Sequence, residues 1–215
     1  QAKAWTQEKA PVSAFRKVRD TGLPLGYDPA VFAEMAEMGW AGVVIPEEFG
    51  GSDFGYLSLG LILEETGRTL AASPLLSSGL AAASALVLGG SQEQKHAWLP
   101  KIAAGEVVGA LAADEGARHA PEQVALTAAK SGAGYVLNGT KTFVLEGMAA
   151  NLFVASARTS GKPGDKDGIS LFLVKADGQG VSRKALKLAD SRGAASVTFD
   201  NAPAELLGDE GKGFA

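Results

Sequence analysis

The chain has 215 residues, 46% of them hydrophobic and 20% charged, with a formal net charge of −4. That is enough for one large or two modest domains with a sizeable core, and the absence of cysteine excludes disulfides, thiolate nucleophiles and cysteine metal sites together. Acidic and basic residues are interleaved, so nothing points to nucleic acid or a membrane surface, no apolar run is long enough to span a bilayer, and the N-terminus lacks a signal-peptide pattern. A cytoplasmic protein is the expectation.

The first half reads as helix. In "YDPAVFAEMAEMGW", Asp28 is the expected N-cap and Pro29 the first helical residue. Phe32, Met35 and Ala36 share a face, and Gly39 stops the helix. "VVIPEEFGGSDFG" is a long, turn-rich connection. "GYLSLGLILEETGRTLAA" predicts a second helix with its apolar side at Leu57, Leu61 and Ala72. "SSGLAAASALVLGG" is apolar nearly all round and predicts a buried helix. "SQEQKHAWL" opens with a capping box, Ser91 and Gln94; Pro100 is expected to interrupt the segment and Gly105 to end it.

The texture changes near Glu106. Short β-branched or alternating runs follow at 107–112, 124–128, 152–157, 169–174, 181–188 and 196–199, separated by clusters of Gly, Asp, Asn and Ser. "GYVLNGTKTFVLEG" predicts a hairpin turning at Asn138-Gly139, since both residues of that turn take positive φ. Period-two alternation would then put Lys141, Phe143 and Leu145 on one face and Thr142 and Val144 on the other. Helices followed by strands indicate an α+β chain: an all-α helical domain at 1–107, then an antiparallel, β-barrel-like domain at 108–215. Antiparallel pairing is expected throughout 108–200, with a parallel sheet counting against the family reading given below.

The motifs of several chemistries are missing. His96 and His119 are not in a metalloprotease frame, and no nucleophile elbow, Walker A loop or dinucleotide fingerprint occurs. Glu47-Glu48 and Glu64-Glu65 read as solvated faces or caps. Asp114-Glu115 ends a strand where the chain turns, and a turn carboxylate is its plain reading. Lys141, Arg158, Lys184 and Lys187 could meet phosphates, but a surface position is the commoner case for each.

Taken in order, the motifs resemble the acyl-CoA dehydrogenase family. "EMGWAGVVIPEEFGG" at 37–51 is similar to the family's "ELGWAGLAVPEEYGG", and "LILEETGRTLA" follows it as a glutamate-rich helix. "GSQEQKHAWLPKIAAGE" at 90–106, "VGALAADEG" at 108–116, "YVLNGTKTFVLEG" and "VTFDNAPAELLGDEGKGFA" continue the resemblance over almost the whole chain. It implies an N-terminal helical domain, a middle β domain and a C-terminal four-helix domain, of which these 215 residues are expected to lack the last. It also implies FAD as cofactor, an acyl-CoA thioester as substrate, and a homo- or hetero-oligomer of dehydrogenase subunits. The family's base removes the α-proton while the β-hydride goes to flavin N5. That base usually comes from the C-terminal bundle, so no catalytic residue is assigned and the 215 residues alone are expected to be inactive.

The resemblance places Leu111, Ala113, Asp114, Phe143 and Leu145 at the flavin. Several positions depart from the family pattern. Asp114 stands where a Ser or Thr would donate a hydrogen bond, and an ionised Asp only accepts; beside a reduced flavin it would repel. Phe143 replaces a tryptophan, and Leu145 replaces a threonine. The family's glycine-serine-aspartate loop falls at His119, Ala120 and Pro121. These departures leave three readings: an active but divergent dehydrogenase, a non-catalytic subunit completing a partner's site, and a binding module that keeps only the fold. The small residues of "TLAASPLLSSGLAAASA" would leave room for a bulky acyl group, or serve tight helix packing.

Overall fold

The computed structural model describes residues 1–214; Ala215, the last residue of the expected 108–215 unit, lies outside the described residues. Six α-helices form the first half: α1 Ala2–Lys9, α2 Val12–Thr21, α3 Pro29–Glu37, α4 Gly55–Arg68, α5 Ala83–Gly89 and α6 Gln92–Ala103. Asp28 caps α3 through its carboxylate, which accepts from Ala30 N with Pro29 at the first position. Gly39, at φ 79°, turns the chain out of it. The capping box of α6 is formed by Ser91 and Gln94 as expected. Pro100, however, lies within α6 and does not break it, so that expectation is corrected. Its missing N–H removes one ladder bond, while Leu99 and Ile102 on either side are fully buried and hold the helix in place.

Two further corrections concern helix faces. Leu57 and Leu61 are 80% and 58% exposed, so of the three residues expected on the apolar side only Ala72, which lies beyond the end of α4, is buried. Leu59 is buried, with Ile62 and Leu63 against the core. In the segment expected to be a buried helix, residues up to Ala82 belong to a π-helix, Leu75–Ala82, and Ala82, Ala83 and Leu86 are buried, but Leu88 is exposed.

Seven strands are found among the described residues: β1 Gly109–Ala112, β2 Thr127–Ser131, β3 Gly134–Val144, β4 Leu152–Arg158, β5 Ile169–Lys175, β6 Val181–Ala185 and β7 Ala195–Leu207. β4 pairs antiparallel with β5, β5 with β7, β7 with β3, and β3 with β2. A single parallel pair, Thr127 with Arg158, joins β2 to β4. The ring is thus closed by one residue pair, and "barrel-like" describes it only loosely. β1 pairs parallel with β4, which corrects the expectation of antiparallel pairing throughout. The cause lies at the strand starts: Asn151 N donates to Val108 O, and Val108 N donates to Asn151 Oδ1. This exchange sets the starts of β1 and β4 side by side after a long connection.

The hairpin expectation also fails in its position. Asn138-Gly139 lies inside β3, and the turn between β2 and β3 falls at Gly132-Ala133. β3 is irregular opposite β7 between Leu137 and Gly139. Asn138 Oδ1 accepts from Asn201 N there. Asn201 itself has φ 48°, and Gly139 has φ 140°. Asn-Gly here bends paired strands instead of reversing one chain.

β4 is buried along its whole length. Phe153, Ala155 and Ala157 face the sheet core with Phe172 and Phe199. Leu152 and Val154 face the helices and pack with Leu86, Leu99 and Ile102. Burial on both faces explains the run "LFVASA", apolar but for Ser156. No helix among the described residues is long and apolar enough to cross a membrane.

Candidate functional site

β1 is the base of the site. It packs on the π-helix so closely that a Cβ on Gly109 would lie 2.5 Å from the Ala82 side chain. Ser78 fastens the contact: Gly109 N donates to its hydroxyl at 3.0 Å, and the hydroxyl donates to Val107 O. Beyond β1 the backbone is tied to β3, since Thr142 N donates to Asp114 O at 2.8 Å.

A second irregularity in β3 shapes the opposite wall. The register against β7 shifts between Lys141 and Val144, where Phe143 has φ 50°. An extra residue reverses which side chains point inward. Lys141 is therefore buried, whereas Phe143 and Leu145 are exposed. The expectation that Lys141 shares their face is corrected.

Between these walls lies a cleft of about 200 Å³. Leu111, Ala113, Asp114, Phe143 and Leu145 all line it, so the structure brings together the five residues that the resemblance placed at the flavin. The π-helix contributes Leu76, Ser77, Leu80 and Ala81. The walls are mainly apolar with a few polar groups at the edge, as small-molecule sites usually are. Leu111, Phe143 and Leu145 present exposed apolar surface there.

Asp114 has a partner that its sequence position did not suggest. Its carboxylate oxygens lie 3.0 and 3.1 Å from His119 Nδ1, and Ala120 N donates to it at 3.3 Å. The carboxylate that would face a reduced flavin is thus hydrogen-bonded within the wall of the cleft.

Behind the cleft, Lys141 is fully buried, so its surface reading is overturned. Its Nζ donates to Glu115 Oε1 at 2.8 Å, Ser156 Oγ at 2.9 Å and Ala113 O at 3.0 Å. Burial lowers the lysine's pKa, with the Glu115 hydrogen bond and charge opposing that shift. Glu115 also accepts from Ala125 N and Leu126 N, which makes it a strut rather than a free turn carboxylate. Arg158 is likewise buried, and it donates to the carbonyls of Glu122, Val124, Ser160, Asp165 and Asp167. Neither cation is available to a phosphate; Lys184 and Lys187 are exposed.

Sequence reasoning missed His119, Lys141 and Arg158. The one signal for Lys141 is that it is the lone lysine of "GYVLNGTKTFVLEG".

Comparison with known proteins agrees with this architecture. The family model described as "Acyl-CoA dehydrogenase, N-terminal domain" matches residues 1–106, and that described as "Acyl-CoA dehydrogenase, middle domain" matches 109–202. The chain is 37% identical over 194 residues to an acryloyl-CoA reductase (NADH) of Anaerotignum propionicum, covering 85% of this chain and 49% of that protein. It is also 37% identical over 194 residues to a cyclohex-1-ene-1-carbonyl-CoA dehydrogenase of Geobacter metallireducens, covering 84% and 50%. The chain thus spans about half the length of these curated relatives. An acyl-CoA dehydrogenase of Geobacillus kaustophilus superposes with a TM-score of 0.85 at 29% identity, over 99% of this chain and 58% of that one. The parallel β1–β4 pair is present in a chain that these comparisons match, so strand direction is no test of the resemblance. Two successive models of one family, in order and spanning the helices and the strands, show that the chain belongs to the acyl-CoA dehydrogenase family.

Proposed function

We propose that this chain forms the cofactor-facing half of a flavin-dependent acyl-CoA dehydrogenase, working as a subunit of a homo- or hetero-oligomer. The observation that supports this best is the cleft. Five residues named from the resemblance line it together, and their exposed apolar surfaces suit a flat ring. FAD bound there would supply the hydride acceptor for α,β-oxidation of an acyl-CoA. The residues that would hold it are Leu111 on β1 and Ala113 just beyond its end, with Phe143 in the β3 irregularity and Leu145 after it. Their part is to pack on the ring, exclude water and fix its position. The strut of Glu115 and Lys141 holds the end of β1 against β3. Among the described residues Asp114 is the only carboxylate lining the cleft, and it is hydrogen-bonded to His119. The proton-abstracting base is therefore assigned to none of these residues.

The test is titration of the purified chain with FAD, read by quenching of flavin fluorescence. Binding is expected, and Phe143→Asp or Leu111→Asp should abolish it with the far-UV circular dichroism unchanged. Binding that survives both substitutions, or no binding at all, refutes the assignment.

A further inference from the structure

The cleft has a polar edge that the family pattern does not explain. We propose that His119, held by Asp114, contacts the bound ring: a flat heteroaromatic ring lying on Leu111, Phe143 and Leu145 meets His119 Nε2 with its imide edge. This rests on the reading of the cleft as a flavin-type site and adds to it the group that addresses the ring's heteroatoms.

The argument begins with the proton. Both oxygens of Asp114 lie within hydrogen-bond distance of His119 Nδ1. An ionised carboxylate only accepts, so Nδ1 carries the hydrogen. That leaves Nε2 as the nitrogen free to address a ligand, and His119 lines the cleft. Neutral, Nε2 accepts from an imide N–H; protonated, it donates to a ring carbonyl. An imide edge offers both partners side by side.

The pair is placed differently on its two members. The Asp114 side chain is 25% exposed and the His119 side chain 74%. Ala120 N and Thr142 N, one bonding the Asp114 carboxylate and the other its carbonyl, fix the acid within the wall. The imidazole therefore stands at the rim on a fixed support. Asp114 is a positioning residue and His119 the contact. Of the other polar side chains lining the cleft, the Ser77 hydroxyl donates to Pro74 O, which leaves Thr142 as a second group at the same wall. Glu115 does not compete for the imidazole, because Lys141 and two backbone amides engage it.

The chain has two histidines, which makes the test direct. His96 packs edge-on against Phe49 in the helical half, at 4.9 Å between ring centres, and serves as the internal reference. The 215-residue chain, labelled at histidine and at the Phe143 and Leu145 amides, is titrated with FMN and followed by nuclear magnetic resonance. The expected result is movement of the His119 ring signals together with Phe143 and Leu145, while His96 stays fixed. His119→Gln should weaken FMN binding about five-fold, the equivalent of one hydrogen bond. Asp114→Ala should abolish the Nδ1–H signature of His119 and most of its response to FMN, with the His96 signals reporting an intact fold. Movement of Phe143 and Leu145 with a silent His119 overturns this inference and leaves the cleft reading standing. Silence at all three positions overturns both. An unchanged His119 response in Asp114→Ala removes the carboxylate's role and with it the proposal as stated.

Discussion

Lys141 is fully withdrawn from solvent, yet it carries an ammonium group. Desolvating such an ion costs several kcal/mol, and only well-placed partners offset that cost. Glu115, Ser156 and the Ala113 carbonyl use the three donors of the ammonium. Glu115→Gln should therefore destabilise the fold by about 3–5 kcal/mol, because it leaves the cation without its counter-charge. Adding Lys141→Met should restore a large part of the loss, as urea unfolding of both variants would show. The pH dependence has a definite sign. Burial holds the folded-state pKa of Lys141 below 10.5, so between that value and 10.5 the unfolded chain binds more protons. Wild-type stability relative to Lys141→Met should then rise with pH across that window. A fall, or no slope, would mean that the ammonium is not held as described. The sequence could not supply this residue's role. Period-two counting put Lys141 beside Phe143 and Leu145, and one residue with φ 50° reverses that order. Leu111, Ala113, Asp114, Phe143 and Leu145 were legible because the ordered motifs locate them whichever way each side chain points.

Strand β3 shows the same limit at the level of an element. Asn-Gly satisfies the demands of a tight turn, but equally those of a bulge that needs positive φ and close approach. Local sequence does not separate the two; the pairing of β7 along β3 from Tyr135 to Val144 does. A Cβ at Gly139 would sit 3.0 Å from Leu126 Cα, whereas one at Gly132 would meet nothing within 4 Å. Gly132 has φ 58°, a conformation that asparagine tolerates. Gly132→Asn should thus cost less than about 1 kcal/mol, and Gly139→Asn about 1–3 kcal/mol through packing strain. The reverse order in thermal unfolding would restore the turn at Asn138-Gly139. Helix α4 offers a parallel case, since its apolar residues exceed what one buried face needs. Leu57 is 80% exposed, and Leu57→Gln should change stability by no more than about 0.5 kcal/mol. A larger loss in urea unfolding would place Leu57 in the core after all.

At the scale of the whole molecule, the helices and strands share one core. Leu86, Leu99 and Ile102 from the helices are fully buried with Leu152 and Val154 from β4. The seam is also tight where backbones cross: a Cβ on Gly193 would lie 2.3 Å from Leu25 O. Arg192 strengthens it by donating to Ser73 O at 2.7 Å and pairing with buried Glu146. Chain segments joined through a common apolar core lose their packing together, whereas linked domains with a small polar interface unfold apart. Of the three tryptophans, Trp5 and Trp40 belong to the cluster of the helical half, whereas Trp98 packs at the seam beside Leu152 and Leu173, so fluorescence is read in a Trp98→Phe background, where it reports mainly the helical half. Circular dichroism near 218 nm reports helices and strands together. The two probes should give coincident urea transitions. Leu99→Ala removes a fully buried side chain at the seam and should cost about 2–5 kcal/mol. It should move both transitions by the same amount, because the cavity opens against β4 as well as α6. Separate midpoints, or a shift of the fluorescence transition alone, would show that the halves fold independently. The cleft, which takes one wall from the π-helix and the rest from β1, β3 and the residues that follow each of them, would then lack the rigid frame that its geometry requires.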